Sequence, residues 1–508
     1  MADIFTPSMP DSAAFKSFVL RYYHHTKPIA LLQTRPLNII IAKEVIMWTT
    51  VVFAGVIVYL TSRVLHFVSR LNSIGHLPGF RCVFRPTSLL GVILPTSYFN
   101  PGINWQWQWR AWDDRLWGEN VFSAELDIYK RHRRVVGAAF AGSISNEVVR
   151  ETARLYHEMM DWEGWSEQHT FSATSFALGI IMRCGFGMPF SWNDPEESGE
   201  MSFDKAINFA MRNLSTRLFA PRWAYKLPIK KLHEVDKAYS TVSTHMHAMV
   251  VAKREHLASM DYGKEHSGGD LFTRLVAASE AEEHNQLDDD EVISNTFIFL
   301  LAGRETTAHT ISAALVLLAL HEEEQEMLAT HIREVLPDGR DPNEHDIPLL
   351  DKVVACFYEA ARMFPAASIV PRHTADITTL TFPPEDGREP LVLPPGVRIL
   401  IDFVGMNYDP DVYPDPERYD PSRWYNAHES DLNVFGLGPR ACLGRKFATT
   451  EAVCLLTLFI RNWKVTVHLK DGETKEQWRQ RVMQISLVGL AFGVRDVPLT
   501  FTKRSTTC

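Results

Sequence analysis

The run Phe435-Gly436-Leu437-Gly438-Pro439-Arg440-Ala441-Cys442-Leu443-Gly444 places one cysteine in a glycine-rich loop. Apolar residues follow at helical spacing: Phe447, Val453, Leu456, Phe459 and Ile460. The sulfur of Cys442 is therefore expected near a helix N-terminus, where the dipole and free N–H groups favour a thiolate. Gly438 and Gly444 let the backbone turn and approach a flat ligand closely. Arg440 offers a guanidinium to a carboxylate. The competing reading is a buried structural cysteine in a chance loop.

A second group of chemically competent residues lies in Asp288–Leu320, which reads as one long helix. Asp288 with Glu291 three residues on forms a capping-box start. Val292, Ile293, Phe297, Ile298, Leu300 and Leu301 then make a helix apolar over much of its circumference, as in a core-spanning segment. The run Ala302-Gly303-Arg304-Glu305-Thr306-Thr307 interrupts it. Polar groups there are costly unless paired or functional. Gly303 weakens the ladder and is expected to clear space beside it. Thr306 and Glu305 could relay protons to a bound ligand. Alternatively, the threonine hydroxyls bond back to the helix carbonyls. A third pair, Glu359 and Arg362, stands at i and i+3 and shares a helix face.

These groups need a large scaffold, and the chain supplies one. It has 508 residues, 46% of them hydrophobic and 22% charged, as in a globular protein with a sizeable core. The net charge of −9 argues against a nucleic-acid partner. The six cysteines are scattered and form no Cys-x-x-Cys, so neither a zinc knuckle nor a dithiol motif is expected. A disulfide framework is not expected either. Val45–Ser62 is an uncharged stretch of 18 residues, long enough to span a bilayer as a helix or to form a buried core helix. Flanking charges do not orient it, because three Lys/Arg fall in residues 25–44 and three in 63–82. Trp105, Trp107 and Trp109 alternate with glutamines, which suggests a strand or an interfacial segment. Helical patterning runs from about Tyr129 to about Leu328. Short apolar runs with Pro and Gly between Asp376 and Phe403, and again in the second half of 480–503, predict a minor sheet. The expected fold class is mainly α with a minor β region. The expected segments are an extension over 1–44, an anchor over 45–62, a hinge over 63–80 and one catalytic domain over 81–508.

The Cys442 loop resembles the Phe-x-x-Gly-x-Arg-x-Cys-x-Gly haem-binding signature of the cytochrome P450 family, and the chain resembles its membrane-bound fungal members. Ala302–Thr306 is similar to the family's (Ala/Gly)-Gly-x-(Asp/Glu)-Thr oxygen-activation motif. Glu359 and Arg362 match its Glu-x-x-Arg helix, and Arg423 is implied as the third member of a Glu359–Arg362–Arg423 structural triad. Arg133 falls at a haem-propionate position in a segment similar to the family's Trp-x-x-x-Arg helix, with Tyr129 where Trp is usual. Arg372 and Arg440 are further propionate candidates.

The resemblance implies a single haem domain of the cytochrome P450 fold behind an N-terminal transmembrane anchor. It implies heme b on a Cys442 thiolate, with Phe435, Gly438 and Gly444 around it, and Thr306 and Glu305 in catalysis. The activity implied is insertion of one oxygen atom of O2 into an apolar terpenoid, steroid, lipid or polycyclic aromatic substrate of secondary metabolism. Phe297, Ile298, Leu301, Ala302, Ile369, Val370 and Leu487 would line the pocket. Electrons would come from an NADPH-dependent cytochrome reductase at the endoplasmic reticulum membrane, with the catalytic domain facing the cytosol. The run Lys130, Arg131 and Arg134, with Arg445 and Lys446, is either a solvated face or the docking surface for that acidic donor. One departure stands out. Only 51 positions separate Pro78 from Tyr129, where family members are several dozen residues longer. That shortening favours a second reading, an impaired or non-catalytic haem-binding remnant. A third is a reductase-independent member that rearranges peroxides, against which the intact Thr306 argues.

Overall fold

A computed structural model describes residues 116–141, 144–163, 173–188, 201, 203–259, 270–281, 286–382, 384, 387–427, 431–483, 486–488, 491–493 and 497–504. Before residue 104, which begins the larger of two compact units, only the exposed helical positions 54–55, 58–59 and 61–62 are described. Most of the expected anchor, the tryptophan alternation and the shortened interval up to Arg115 thus lie outside the described residues. Among the described residues, no helix is long and apolar enough to cross a membrane.

The larger unit is mainly helical, as expected. Its helices are α1 (Leu126–Phe140), α2 (Ile144–Glu163), α3 (Ala173–Ile180), α4 (Phe203–Arg212), α5 (Leu214–Phe219), α6 (Lys230–Ser259), α7 (Leu271–Glu280), α8 (Asp289–Leu320), α9 (Glu322–Val335), α10 (Asp351–Met363), α11 (Phe403–Asn407), α12 (Arg445–Asn462) and α13 (Lys475–Val482). A π-helical turn, Ile181–Gly185, continues α3. Eight short strands form four antiparallel pairs: β1 (Ile369–His373) with β4 (Arg398–Asp402), β2 (Thr378–Leu380) with β3 (Leu391–Leu393), β5 (Trp463–Val467) with β8 (Leu499–Lys503), and β6 (Ser486–Val488) with β7 (Ala491–Gly493).

The axis of the unit is α8, 32 residues long. Its start is the capping box expected from the sequence: the Glu291 N–H donates to Asp288 Oδ1 at 2.8 Å and the Asp288 N–H to Glu291 Oε2 at 3.1 Å. Twenty-two of its residues are buried, so it is enclosed over most of its surface rather than amphipathic. It packs on α3, α6, α10, α12 and β5 within one continuous apolar core. A buried glutamine closes the far end. Gln325 donates to Leu318 O (2.9 Å) and Val465 O (2.8 Å) and accepts from the Val465 N–H, which ties α9 to β5. Residues 463–467 and their pairing with 499–503 were not visible as a strand pair in the sequence, because the two runs lie far apart in the chain.

Candidate active site

The cysteine loop folds as a closed turn. The Cys442 N–H donates to Phe435 O at 2.8 Å, and α12 begins at Arg445 with Gly444 as its N-cap. Gly436 and Gly438 take φ of +69° and +71°, the left-handed region that favours glycine. Gly444 does not, with φ of −82°. The turn-making glycines are therefore 436 and 438, not 438 and 444 as the sequence suggested. A Cβ added at either Gly438 or Gly444 would meet nothing within 4 Å, and Leu437 between them and Phe435 is 59% exposed. The loop borders open space.

Cys442 itself is exposed. Burial nevertheless pushes its thiol pKa up, while the N–H groups of Gly444 and Arg445 and the charges of Arg133 and Arg445 act in the opposite direction. A sulfur that is accessible yet closely surrounded by protein lies in a recess. Cys184, Cys356 and Cys454 are buried, and burial is the leading cause raising each of their pKa values. Among the described cysteines, only Cys442 combines access with N–H donors and nearby cations.

Three guanidinium groups converge on this loop, and none forms a salt bridge with a carboxylate among the described residues. Arg133 Nη1 donates to Ala441 O at 2.9 Å. Arg440 Nη2 donates to Ala124 O at 2.6 Å, and its guanidinium lies 3.5 Å from the centroid of the Tyr129 ring. Arg372 is exposed and, among the described residues, donates to its neighbour's carbonyl, Pro371 O, at 2.9 Å. Burial lowers the pKa of Arg440, and Arg372 and Arg133 act in the same direction against Tyr129 and Glu125, so Arg440 feels both other cations. A like-charged cluster of this kind fits an anionic ligand with more than one carboxylate. Tyr129 is buried and donates its hydroxyl to Pro439 O, holding the loop from below. Together the soft sulfur in a recess, the open space over glycine and the cluster of cations fit haem b with its two propionates.

The α8 motif divides between two sides of the helix. Ala302 is exposed although Leu301 beside it is 4% exposed, so open space reaches the middle of a core helix. Thr306 and Glu305 are half-buried on that side. The Thr306 hydroxyl donates to Ala302 O at 2.7 Å, the back-bonded arrangement, which leaves its oxygen free to accept. Gly303 and Arg304 point elsewhere. A Cβ at Gly303 would meet Ile181, not the open side. Arg304 is 5% exposed, its Nη1 lies 3.9 Å from Met211 Sδ, and its Nε has no hydrogen-bond partner.

Residues 112–492 match the family described as Cytochrome P450. The chain belongs to the cytochrome P450 family. It is 32% identical over 407 residues to cytochrome P450 monooxygenase 124 of Postia placenta, covering 77% of each chain. It is 27% identical over 361 residues to cyclooctat-9-en-7-ol 5-monooxygenase of Streptomyces melanosporofaciens, covering 69% of this chain and 73% of that one. A crystal structure of a cytochrome P450 (CYP102L1) superposes with a TM-score of 0.60 at 20% identity, over 78% of this chain and 84% of that one, which shows the fold. This P450 is accordingly an oxidoreductase of the monooxygenase type. Its cofactor is haem b, carried by a cysteine thiolate, and its reaction takes O2, an organic substrate and a redox partner.

The remaining candidate residues of the P450 fall into place unevenly. Glu359 and Arg362 are fully buried and paired through two hydrogen bonds, at 2.9 and 2.8 Å. Arg423 is looser: its Nε is 3.4 Å from Glu359 Oε1 without hydrogen-bond geometry, and its Nη2 donates to Asp415 O at 2.9 Å. Closer partners were not legible in the sequence. Trp424 Nε1 donates to Glu359 Oε2 at 2.8 Å and the Asp420 N–H to Oε1 at 3.1 Å. Arg362 also donates to Asn407 O at 2.7 Å and Pro416 O at 2.9 Å. The unit is thus a carboxylate–guanidinium pair locked by a tryptophan and by backbone, with Arg423 at its edge.

Phe297 is in the core rather than in a pocket. It is fully buried, with ring centroids 5.0 Å from Trp117 and 6.2 Å from Tyr239. Ile298 and Leu301 are also buried, whereas Ile369 and Val370 on β1 are half-exposed. Leu487 lies in β6, and its side chain is outside the described residues. The basic run on α1 splits as well. Lys130 pairs with Asp127 at 2.9 Å on the surface. Arg131 is committed to Glu291, at 2.8 Å through Nη1. Burial acts to raise the Glu291 pKa, but His132, Arg131 and the Asp288 N–H outweigh it and bring it to about 2. Arg131 thereby fastens α1 to the start of α8.

Proposed function

We propose that this P450 inserts one oxygen atom of O2 into an apolar substrate, with Cys442 as the haem ligand and electrons from an NADPH-dependent reductase. The observation that carries the ligand assignment is the accessible, enclosed Cys442 sulfur at the N-terminus of α12. Arg133, Arg372 and Arg440 hold the propionates, which would give their charges partners. Haem b bound there supplies the dioxygen chemistry; the chain supplies position, electronics and water control. Thr306, with an accepting oxygen toward the open side of α8, passes protons together with Glu305. Ala302, Ile369 and Val370 give the substrate an apolar wall. The relative named for cyclooctat-9-en-7-ol supports a cyclic, largely hydrocarbon substrate within the terpenoid, steroid, lipid and polycyclic range. Val45–Ser62 is the proposed anchor to the endoplasmic reticulum, with the catalytic unit facing the cytosol. Recovery of the full-length protein with soluble proteins after simple lysis would refute that placement.

Thr306→Ala tests the proton path. With a turned-over substrate, product per NADPH is expected to fall severalfold while NADPH consumption continues and hydrogen peroxide accumulates. Unchanged coupling would remove Thr306 from the mechanism. A second reading has one specific observation behind it. The 51 positions from Pro78 to Tyr129 leave little chain to roof a pocket and exclude water, so the protein would hold haem weakly and turn over slowly or not at all.

A further inference from the structure

Gly303 sits in the interior of α8, where glycine costs about 1 kcal/mol relative to alanine. The neighbour that requires it is Ile181, not the open space beside Ala302. A Cβ at 303 would stand 3.1 Å from Ile181 Cδ1 and 3.7 Å from its Cγ1. Ile181 is closely surrounded, and the space it also borders, beside Phe186, Phe272 and Phe299, is too narrow for a water molecule. It is β-branched and 5% exposed, and it opens the π-helical turn Ile181–Gly185, all of whose residues are buried. A Cβ at Gly185 would also meet this side chain, at 3.5 Å. The turn is itself held, because Arg183 contacts Glu151 at 3.4 Å and forms a close pair with Glu158, both on α2.

We infer that Ile181 is a positioning residue for the oxygen-handling turn of α8, and that position 303 is glycine in order to admit it. The line of contact is short. Ile181 fixes the backbone at 303, the next carbonyl back belongs to Ala302, and that carbonyl receives the Thr306 hydroxyl at 2.7 Å. A shift of a few tenths of an ångström at 303 therefore re-aims the hydroxyl. The inference deepens the proposed role of Thr306 and rests on it for its functional half. Its packing half stands alone.

The test is a double-mutant cycle on the full-length, haem-loaded protein: Gly303→Ala, Ile181→Val, which removes the Cδ1 atom, and both together. Thermal stability reports the packing, and the Fe–C–O vibrational frequencies of the carbon-monoxide adduct report the distal geometry. Gly303→Ala is expected to lower Tm by about 1–2 °C, the overpacking cost of about 1–3 kcal/mol exceeding the helix-propensity gain of about 1 kcal/mol, and to shift those frequencies. Adding Ile181→Val should return both to the values of Ile181→Val alone. If Gly303→Ala fails to fold, recovery of a folded, haem-loaded double variant supports the inference, and failure of both overturns it. A Gly303→Ala protein with unchanged Tm and unchanged frequencies overturns it too. So does a double variant whose losses simply add, because position 303 would then need its space for something other than Ile181. Restored Tm and frequencies with unchanged Thr306→Ala coupling would keep the packing and refute the catalytic role.

Discussion

Cys442→Ala is expected to abolish monooxygenase turnover and the spectroscopic signature of a thiolate-ligated haem. The expectation follows from how little else among the described residues can replace the sulfur. Cys184, Cys356 and Cys454 are buried, and burial drives their thiol pKa values up. A protonated, enclosed thiol is neither nucleophile nor ligand. Cys442 alone among the described cysteines has N–H donors from a helix start and two nearby guanidinium groups favouring its anionic form. Loss of the thiolate also removes the electron density that an axial sulfur gives to oxygen activation. The measurement is haem content, turnover and the carbonyl spectrum of purified variant beside the parent protein. A variant that still shows the red-shifted carbonyl Soret band would mean that another residue is the ligand.

Glu359→Ala should be the most destabilising single change in the folded unit. Glu359 and Arg362 are both fully enclosed, so removing the carboxylate leaves a buried guanidinium without its partner. Breaking such a pair costs about 3–5 kcal/mol. The loss also strands the Trp424 indole N–H and the Asp420 N–H, which both donate to this carboxylate. Glu359→Gln keeps an acceptor but not the charge and should fall between. Arg423→Ala should cost much less, because Arg423 touches Glu359 at 3.4 Å without a hydrogen bond. The check is soluble, haem-loaded yield and Tm across the three variants. A Glu359→Ala protein as stable as the parent, or an Arg423→Ala loss as large, would contradict this ranking.

What the sequence made legible was local. The capping box at Asp288 and Glu291, the length of α8 and the pairing of Glu359 with Arg362 all depend on residues within one or two helical turns, and the structure shows each of them. The cysteine loop was legible because its residue types and spacing are specific. What stayed hidden depends on which way a side chain faces. A helix apolar all round does not disclose that Phe297 meets Trp117 while Ala302 faces open space. A mid-helix glycine shows that space is needed without showing for what, and here Ile181 takes it. Trp424 and the carbonyl of Asn407 reach the Glu359–Arg362 pair from 65 and 45 positions away, separations that no periodicity encodes. The three guanidinium groups at the loop come from three segments that only the fold brings together.

The most direct test of the whole account is a carbon-monoxide difference spectrum of the purified, reduced full-length protein. The account predicts stoichiometric haem and the red-shifted Soret band of a thiolate-ligated carbonyl complex. Haem-free protein, or a carbonyl band at the unshifted position, would contradict it and favour the reading in which the short stretch between Pro78 and Tyr129 leaves a fold that no longer holds its cofactor.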